Sequence, residues 1–298
     1  MKNGSNHTNR SNDILAELDR LHTHLEIPYV KNREEVWKAM EARLETGASK
    51  KSISLFRRPA VRLAMAASVL LLLGLIGVMR LYTVDVTSSP GQLLMVELPD
   101  GSAVQMSAVS SLTYHPFWWR FSRELSLDGE AFFKVEKGSR FSVKSEKATT
   151  SVLGTRFNIY ARDESYRVVC QTGKVKVVGQ ADGSEVILTA NQKAELKAGD
   201  GFDVQQNINV QAETAWINDE FNFRDRPLKE VLEEVERQYG VSIQGENLLN
   251  DGNYQASISS RMVRSELDAE DILEMICTLY KLQYEKLGPN EYRISPKK

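Results

Sequence analysis

The sequence predicts a multidomain protein with a short all-α segment, one transmembrane helix, an all-β domain (a sandwich or a short β-solenoid) and a C-terminal α/β module of the order βαβ–βαβ. Three observations predict this fold class. The run Leu63–Met79 contains no charged residue and is apolar on every face of a helix. Beyond it, apolar and polar residues alternate, and turn residues recur about every ten positions. After Trp216, two stretches with helical spacing separate short strand-like runs.

Bulk composition restricts the kinds of partner. The 298 residues carry a formal net charge of -2, so there is no overall electrostatic attraction for nucleic acid and we expect no direct nucleic-acid contact. The two cysteines, Cys170 and Cys277, are far apart and each lies in an apolar run. This pattern favours small buried side chains over a disulfide framework.

Residues 1–58 are expected to form two short helices. In the first, apolar residues recur at helical spacing and Pro28 ends the run: Ile14, Leu18, Leu21 and Leu25. The second reads from Asn32 to about Thr46, with an apolar stripe of Trp37, Met40 and Leu44. Two such helices bury little surface on their own. Either the two helices pack on each other as a hairpin, or a cytoplasmic partner packs against the apolar stripe. The residues alone favour neither interpretation.

Residues 59–84 are predicted to cross a membrane. The predicted membrane-spanning helix includes Leu63, Leu70, Leu73, Gly74 and Met79. A buried helix of a soluble protein would normally keep a polar stripe, and a cleaved signal peptide would not follow about 60 mostly polar residues. Six basic residues precede the run within twenty positions, whereas only one follows it: Arg43, Lys50, Lys51, Arg57, Arg58 and Arg62 before, Arg80 after. The positive-inside rule then predicts a single pass with the N-terminus in the cytoplasm.

Residues 85–215 have the pattern of an all-β domain, with Asp100-Gly101 predicting a hairpin turn. Its only histidine is His115, and no paired carboxylates or phosphate-binding glycine loop accompany it, so we expect no enzyme and no cofactor. The aromatic run Phe117–Trp119 could be a ligand platform, could lie near a membrane surface, or could pack inside the domain. Packing is the preferred interpretation.

Several motifs in register resemble one family. LPDGSAVQMSAVSSLTY, LDGEAFFKVEKGSRFSVKSE, VLGTRFNIYA, TGKVKVV and AWINDEFNFRDRPLKEVLEEVERQYG follow the order and spacing of FecR-type transmembrane anti-sigma regulators. The departures are Met106-Ser107 and Ala190-Asn191, where that family usually has a Leu-Asn-type pair and Pro-Gly. The resemblance further suggests that Asp128-Gly129, like Asp100-Gly101, forms a tight turn with positive φ, and that Gly154 permits a bend or a close backbone approach.

The pattern of helical and strand-like runs in residues 216–298 predicts a small α/β module. Pro227 opens a helix with an apolar face, Gly240 closes it, and Asp268 caps a second helix. The order predicts one small open sheet with two helices on one face, similar to the secretin/TonB short N-terminal type of module. Its edge strands either are blunted in a self-contained packing module or serve for strand addition by a partner, and the family resemblance favours docking.

The resemblance implies an inner-membrane anti-sigma factor with a periplasmic C-terminal part. Its cytoplasmic partner would be an extracytoplasmic-function sigma factor, bound through Leu18, Leu21, Trp37, Met40 and Leu44. Its periplasmic partner would be the signalling domain of a TonB-dependent outer-membrane receptor. The alternative is a membrane-anchored periplasmic scaffold or glycan-binding protein.

Overall fold

The computed structural model describes residues 16–20, 32–47, 59–197, 201–245 and 255–297. Residues 16–20 are helical, and the first long helices are α1 (Arg33–Gly47) and α2 (Pro59–Leu81). The backbone carbonyl of Asn32 accepts hydrogen bonds from the amides of Glu35 and Val36, which starts α1 at the predicted place. Among the described residues, one helix, Ala60–Leu81, is long and apolar enough to cross a membrane.

Thirteen strands follow α2 and form the β domain. They are β1 (Val84–Ser88), β2 (Leu94–Glu97), β3 (Ala103–Met106), β4 (Ser110–Tyr114), β5 (Arg123–Lys134), β6 (Phe141–Lys144), β7 (Ala148–Val152), β8 (Arg156–Arg162), β9 (Ser165–Thr172), β10 (Lys174–Gly179), β11 (Glu185–Thr189), β12 (Gln192–Lys197) and β13 (Gly201–Gln206). The pair β2 and β3 is the hairpin predicted from Asp100-Gly101, and Gly101 has a φ of 80°.

The long strand β5 joins two halves of the sheet. Its first half pairs with β4 and β6, and its second half pairs with β3 and β8. The strand passes between the halves at Gly129, whose φ is 110° and where a Cβ would lie 2.7 Å from the Ser110 Cα. The prediction of a tight turn at Asp128-Gly129 is therefore wrong. The positive φ is present, but it bends one continuous strand instead of reversing the chain.

The two halves enclose one apolar core. Its large, fully buried side chains come from both halves: Met106, Leu112, Leu125, Phe133, Phe141, Phe157, Ile159, Tyr166 and Leu188. Apart from β5 with β6, the strand pairs described in this domain are antiparallel. Antiparallel pairing around a nearly closed sheet fits the sandwich alternative and does not fit the parallel stacking of a solenoid. Both cysteines are buried and free, as their apolar surroundings predict.

The C-terminal part begins with α3 (Val210–Glu213) and a short 3₁₀ turn, Ala215–Asn218. It continues as β14 (Glu220–Pro227), α4 (Leu228–Tyr239), β15 (Ser242–Gln244), β16 (Gln255–Val263), a 3₁₀ turn (Arg264–Glu266), α5 (Ala269–Tyr280), β17 (Leu282–Gly288) and β18 (Glu291–Pro296). Gly240 ends α4 in the left-handed region, and Asp268 with Asp271 forms a capping box on α5.

The strands described in this part pair differently from the prediction of one open sheet. β14 pairs with β16, while β15, β18 and β17 form a separate three-stranded sheet in that order. The β14–β16 ladder is interrupted by two register shifts, and β15 contributes only three residues. Alternation of apolar and polar residues predicts that a strand exists, but the strand with which it pairs depends on contacts with residues far away in the chain. The prediction of a single sheet is therefore wrong. Helices α4 and α5 still share one core with these strands, including Val231, Leu273 and Ile294.

Candidate functional site

Strands β5, β8 and β9 are buried on both faces where they lie beneath α4. One face carries apolar residues into the core of the β domain. The other carries polar side chains that meet the polar side of α4. We call this contact the polar seam, and its members are Glu130, Asn158, Tyr160, Arg162 and Arg167 on the strands and Glu230, Glu234, Arg237 and Gln238 on α4.

The spacing of residues on α4 explains why it can cover this face. Its apolar residues point into the core of the C-terminal part: Leu228, Val231, Leu232 and Val235. Glu230, Glu234 and Gln238 recur every four positions and therefore lie along one side of the helix. One amphipathic helix thus belongs to the core of its own module and presents a polar stripe to the β domain.

An ion pair between Arg167 and Glu230 crosses the seam. Arg167 Nη1 donates to both carboxylate oxygens of Glu230, at 2.9 and 3.2 Å. The guanidinium carbon lies 4.0 Å from the centre of the Tyr160 ring, in a cation–π contact. The negative charge of Glu230 raises the pKa of Arg167 despite burial, which alone would lower it. Both ions are thus removed from water and depend on each other.

Two further carboxylates, Glu130 and Glu234, lie at the seam in unlike surroundings. Burial and then the charge of Glu234 raise the pKa of Glu130, which accepts a 2.8 Å hydrogen bond from Asn158 Nδ2. Burial would also raise the pKa of Glu234, but Arg237 and Arg162 lower it below its ordinary value. Arg237 Nη2 lies 3.0 Å from Glu234 Oε2, and Gln238 Nε2 donates to Oε1 at 2.7 Å. The pKa values of these two neighbouring carboxyls are therefore shifted in opposite directions.

Backbone and side-chain hydrogen bonds extend the contact beyond the seam. The amide of Gly91 donates to the carbonyl of Arg237 at 2.9 Å, and Arg264 Nη1 donates to the carbonyl of Gly91 at 3.0 Å. Gln105 Nε2 donates to the carbonyl of Ile217 at 3.1 Å. At the other end, Lys193 Nζ lies 2.9 Å from Glu213 Oε1. Polar contacts between the β domain and the C-terminal part therefore continue on both sides of the seam.

Two spaces border the seam, and the larger is a cleft of about 430 Å³ lined by Arg167, Lys193, Glu213 and Glu230, which is within the size range of ligand sites. Glu130, Glu234, Gln238 and Trp216 border a cavity of about 40 Å³, whereas binding pockets typically measure about 300–1,000 Å³. Within the described ranges, no group of His, Cys, Asp and Glu side chains is placed to hold a metal ion. The ion pairs Arg167–Glu230 and Lys193–Glu213 join the two folded parts across this contact.

Four of the five predicted sigma-binding residues lie in described helical residues before α2. Trp37, Met40 and Leu44 lie on α1 with exposed side chains, and the Trp37 side chain is 64% exposed. Leu18 is exposed in the helical residues 16–20, and Leu21 lies outside the described residues. The residues predicted to lie in the membrane-spanning helix are all on α2: Leu63, Leu70, Leu73, Gly74 and Met79.

The aromatic run divides between two environments. Trp119 is buried, with its ring at an edge-on angle to the Tyr114 and Phe141 rings. Phe117, by contrast, is exposed, and Trp118 is only half-buried. The packing interpretation is right for Trp119 and wrong for Phe117, because successive residues in this turn point in different directions.

Sequence reasoning missed the polar seam. Two signals were available. Arg167 interrupts a buried strand in YRVVC, and α4 repeats Glu, Glu and Gln every four residues beside its apolar face. A charge in an otherwise apolar strand indicates that a partner is present, but not where along the chain it lies.

Comparisons with known proteins relate both parts to one family. Residues 84–176 match the family described as FecR protein, and residues 220–294 match FecR, C-terminal. Two crystal structures of a candidate anti-sigma factor from Parabacteroides distasonis ATCC 8503, at 2.50 and 1.65 Å resolution, have 25% sequence identity and TM-scores of 0.64 and 0.63. The matches cover 73% and 72% of this chain and 100% of each of those chains. A search of curated proteins gave no significant match.

Proposed function

Since this chain belongs to the FecR family of anti-sigma factors, we propose that it is a single-pass inner-membrane protein that regulates an extracytoplasmic-function sigma factor. Residues 1–58 face the cytoplasm, α2 crosses the membrane, and residues 85–215 and 216–298 form two periplasmic parts. The signal arrives from a TonB-dependent outer-membrane receptor. Neither catalysis nor a cofactor is part of this proposal.

The observation that carries the proposal is the exposed apolar stripe of α1. Trp37, Met40 and Leu44 are spaced by three and four residues, so they lie on one side of the helix, and all three are exposed. Exposing an apolar stripe to water is unfavourable, and a groove on a partner would remove it from water. Membership of an anti-sigma family indicates that this partner is a sigma factor. Binding would cover the surfaces of the sigma factor that polymerase needs.

The periplasmic parts supply a receiving surface and a joint. In the three-stranded sheet, β17 pairs with β18 alone and leaves its other edge open among the described strands. An open edge can accept a strand from a receptor's signalling domain. The polar seam then connects this sheet's module to the β domain. For a signal to pass, the receptor must bind one arrangement of these parts more tightly than another.

Co-purification with the sigma factors of the host tests the function. The tagged full chain, extracted from membranes, should retain one extracytoplasmic-function sigma factor. Trp37→Ala combined with Met40→Ala should lower the retained amount at least about tenfold, because losing two anchors costs more than about 1.4 kcal/mol. The matched control is Lys38→Ala, a polar position on the same exposed helix, which should retain the sigma factor. Undiminished binding by the double variant would contradict the assigned surface, and binding of no sigma factor would contradict the function.

The membrane orientation has a separate test. Alkaline phosphatase fused after residue 90 must be exported to be active. Activity there and none in a fusion after residue 50 is the expected pair of results. The reverse pair would contradict the proposed orientation.

A further inference from the structure

The turn between β4 and β5, residues 115–122, packs against the C-terminal end of α2. His115 Nδ1 lies 3.2 Å from the carbonyl oxygen of Tyr82. The Tyr82 and Phe117 rings are 5.3 Å apart, and the guanidinium of Arg80 lies 5.1 Å from the centre of the Trp118 ring. The turn is therefore held beside the point where the apolar helix ends.

Trp119 fixes the orientation of this turn. Its side chain is 3% exposed, and its ring packs edge-on against Tyr114 and Phe141, each with a centroid distance of 5.7 Å. Because Trp119 points into the core, its neighbours in the turn point outward. Phe117 and Phe121 are 54% and 70% exposed, and the Phe121 ring lies 4.7 Å from Trp118.

These outward residues have the chemistry of a membrane interface. Aromatic rings gather where apolar chains meet headgroups, and here Phe117, Phe121 and Trp118 adjoin the end of a helix long enough to span the apolar layer. Two exposed cations, Arg80 and Arg120, accompany them and can pair with lipid phosphates. Four features therefore coincide at one place: the helix end, the exposed rings, the cations and a turn fixed by a buried tryptophan.

We propose that residues 115–122 form a second membrane contact, in which Phe117, Trp118 and Phe121 enter the headgroup region of the bilayer that α2 crosses. The partner is the lipid interface itself. This inference rests on the proposal that α2 spans the membrane. Two points of attachment, the helix and the turn, set the orientation of the β domain relative to the bilayer, which a single flexible linker would leave free.

Spin labels on the full chain in vesicles of phosphatidylethanolamine and phosphatidylglycerol test this contact. Cys170 and Cys277 do not compete for the label, since both are buried and burial raises the pKa of each thiol to about 11. Labels are placed by Phe121→Cys in the turn, by Leu72→Cys within α2, and by Ile187→Cys on β11 as the matched exposed control. Collisions with oxygen, which concentrates in lipid, are compared with those of a water-soluble nickel chelate.

At Phe121 we expect the ratio of oxygen to nickel collisions to be several-fold higher than at Ile187 and lower than at Leu72. A ratio at Phe121 equal to that at Ile187, with Leu72 in lipid, would overturn the second contact and leave the membrane-spanning proposal standing. Nickel access at Leu72 as high as at Ile187 would overturn both.

Discussion

The inner and outer faces of β5, β8 and β9 are both buried, but by different chemistry. The inner face contributes Phe133, Phe157 and Ile159 to an apolar core. The outer face presents Glu130 and Arg167 to α4 of the neighbouring part. Apolar burial stabilises a domain without depending on pH or on one arrangement of partners. A buried charged contact gains little net stability, because desolvation of the two ions offsets most of their attraction. The inner face thus supplies most of the stability of the β domain, whereas the outer face fixes which element packs on it.

The largest effect is expected on the inner face. Phe133→Ala should lower the free energy of unfolding by about 3–5 kcal/mol, since it removes a ring stacked on Phe157 and packed near Phe141. Chemical denaturation of the full chain in detergent measures this. Ile187→Ala, at an exposed position, is the control and should change the value by less than about 0.5 kcal/mol. A loss at Phe133 as small as that of the control would contradict the assignment of this core.

A smaller loss is expected when the seam loses one ion. Arg167→Met removes the closer cation of Glu230 and leaves Arg226, whose Nη1 lies 3.9 Å from Glu230 Oε2. This loss should cost about 2 kcal/mol. The double variant Arg167→Met with Glu230→Met should recover part of that loss, because no unpaired charge then remains. A double-mutant cycle by denaturation separates the two cases. Strictly additive losses would show that the pair does not couple the two parts.

The smallest effect is a dependence on pH from Glu130. Its pKa is raised in the folded protein, so the unfolded state loses the proton first as pH rises. Stability from this group is full below the ordinary value of 4.5 and is lost as pH rises through the raised pKa. Glu130→Gln should remove that slope, which for one proton is at most about 1.4 kcal/mol per pH unit. Denaturation between pH 4 and 8 measures it, with the exposed Glu146→Gln as control. If the pH dependence of stability is the same in Glu130→Gln, the pKa of Glu130 is not raised by its surroundings at the seam.

The sequence was most informative where one local pattern determines the structure. The apolar run Leu63–Met79 predicted α2, and Asp100-Gly101 predicted the hairpin of β2 and β3. Gly129 shows the limit of such patterns. Asp-Gly favours positive φ in a turn and at a strand bend alike, and only the packing against Ser110 distinguishes them.

Partners that are distant in the chain could not be inferred in the same way. The residues of α4 predict an apolar face, but nothing local says that Glu230 meets Arg167 across the seam. The pairing of β15 with β18 is likewise set by contacts between remote segments. The presence of elements was therefore predictable, whereas the seam, which depends on how two parts come together, was not.

The proposed function requires that this chain hold a sigma factor at the membrane through the apolar stripe on α1. Fractionation of cells that express the chain tests it most directly, by following the host's extracytoplasmic-function sigma factors through membrane and soluble fractions. We expect one of them to sediment with membranes when the chain is present, and to become soluble with Trp37→Ala and Met40→Ala while the chain itself stays in the membrane. Sigma factors that remain soluble beside a membrane-bound, unaltered chain would contradict the account.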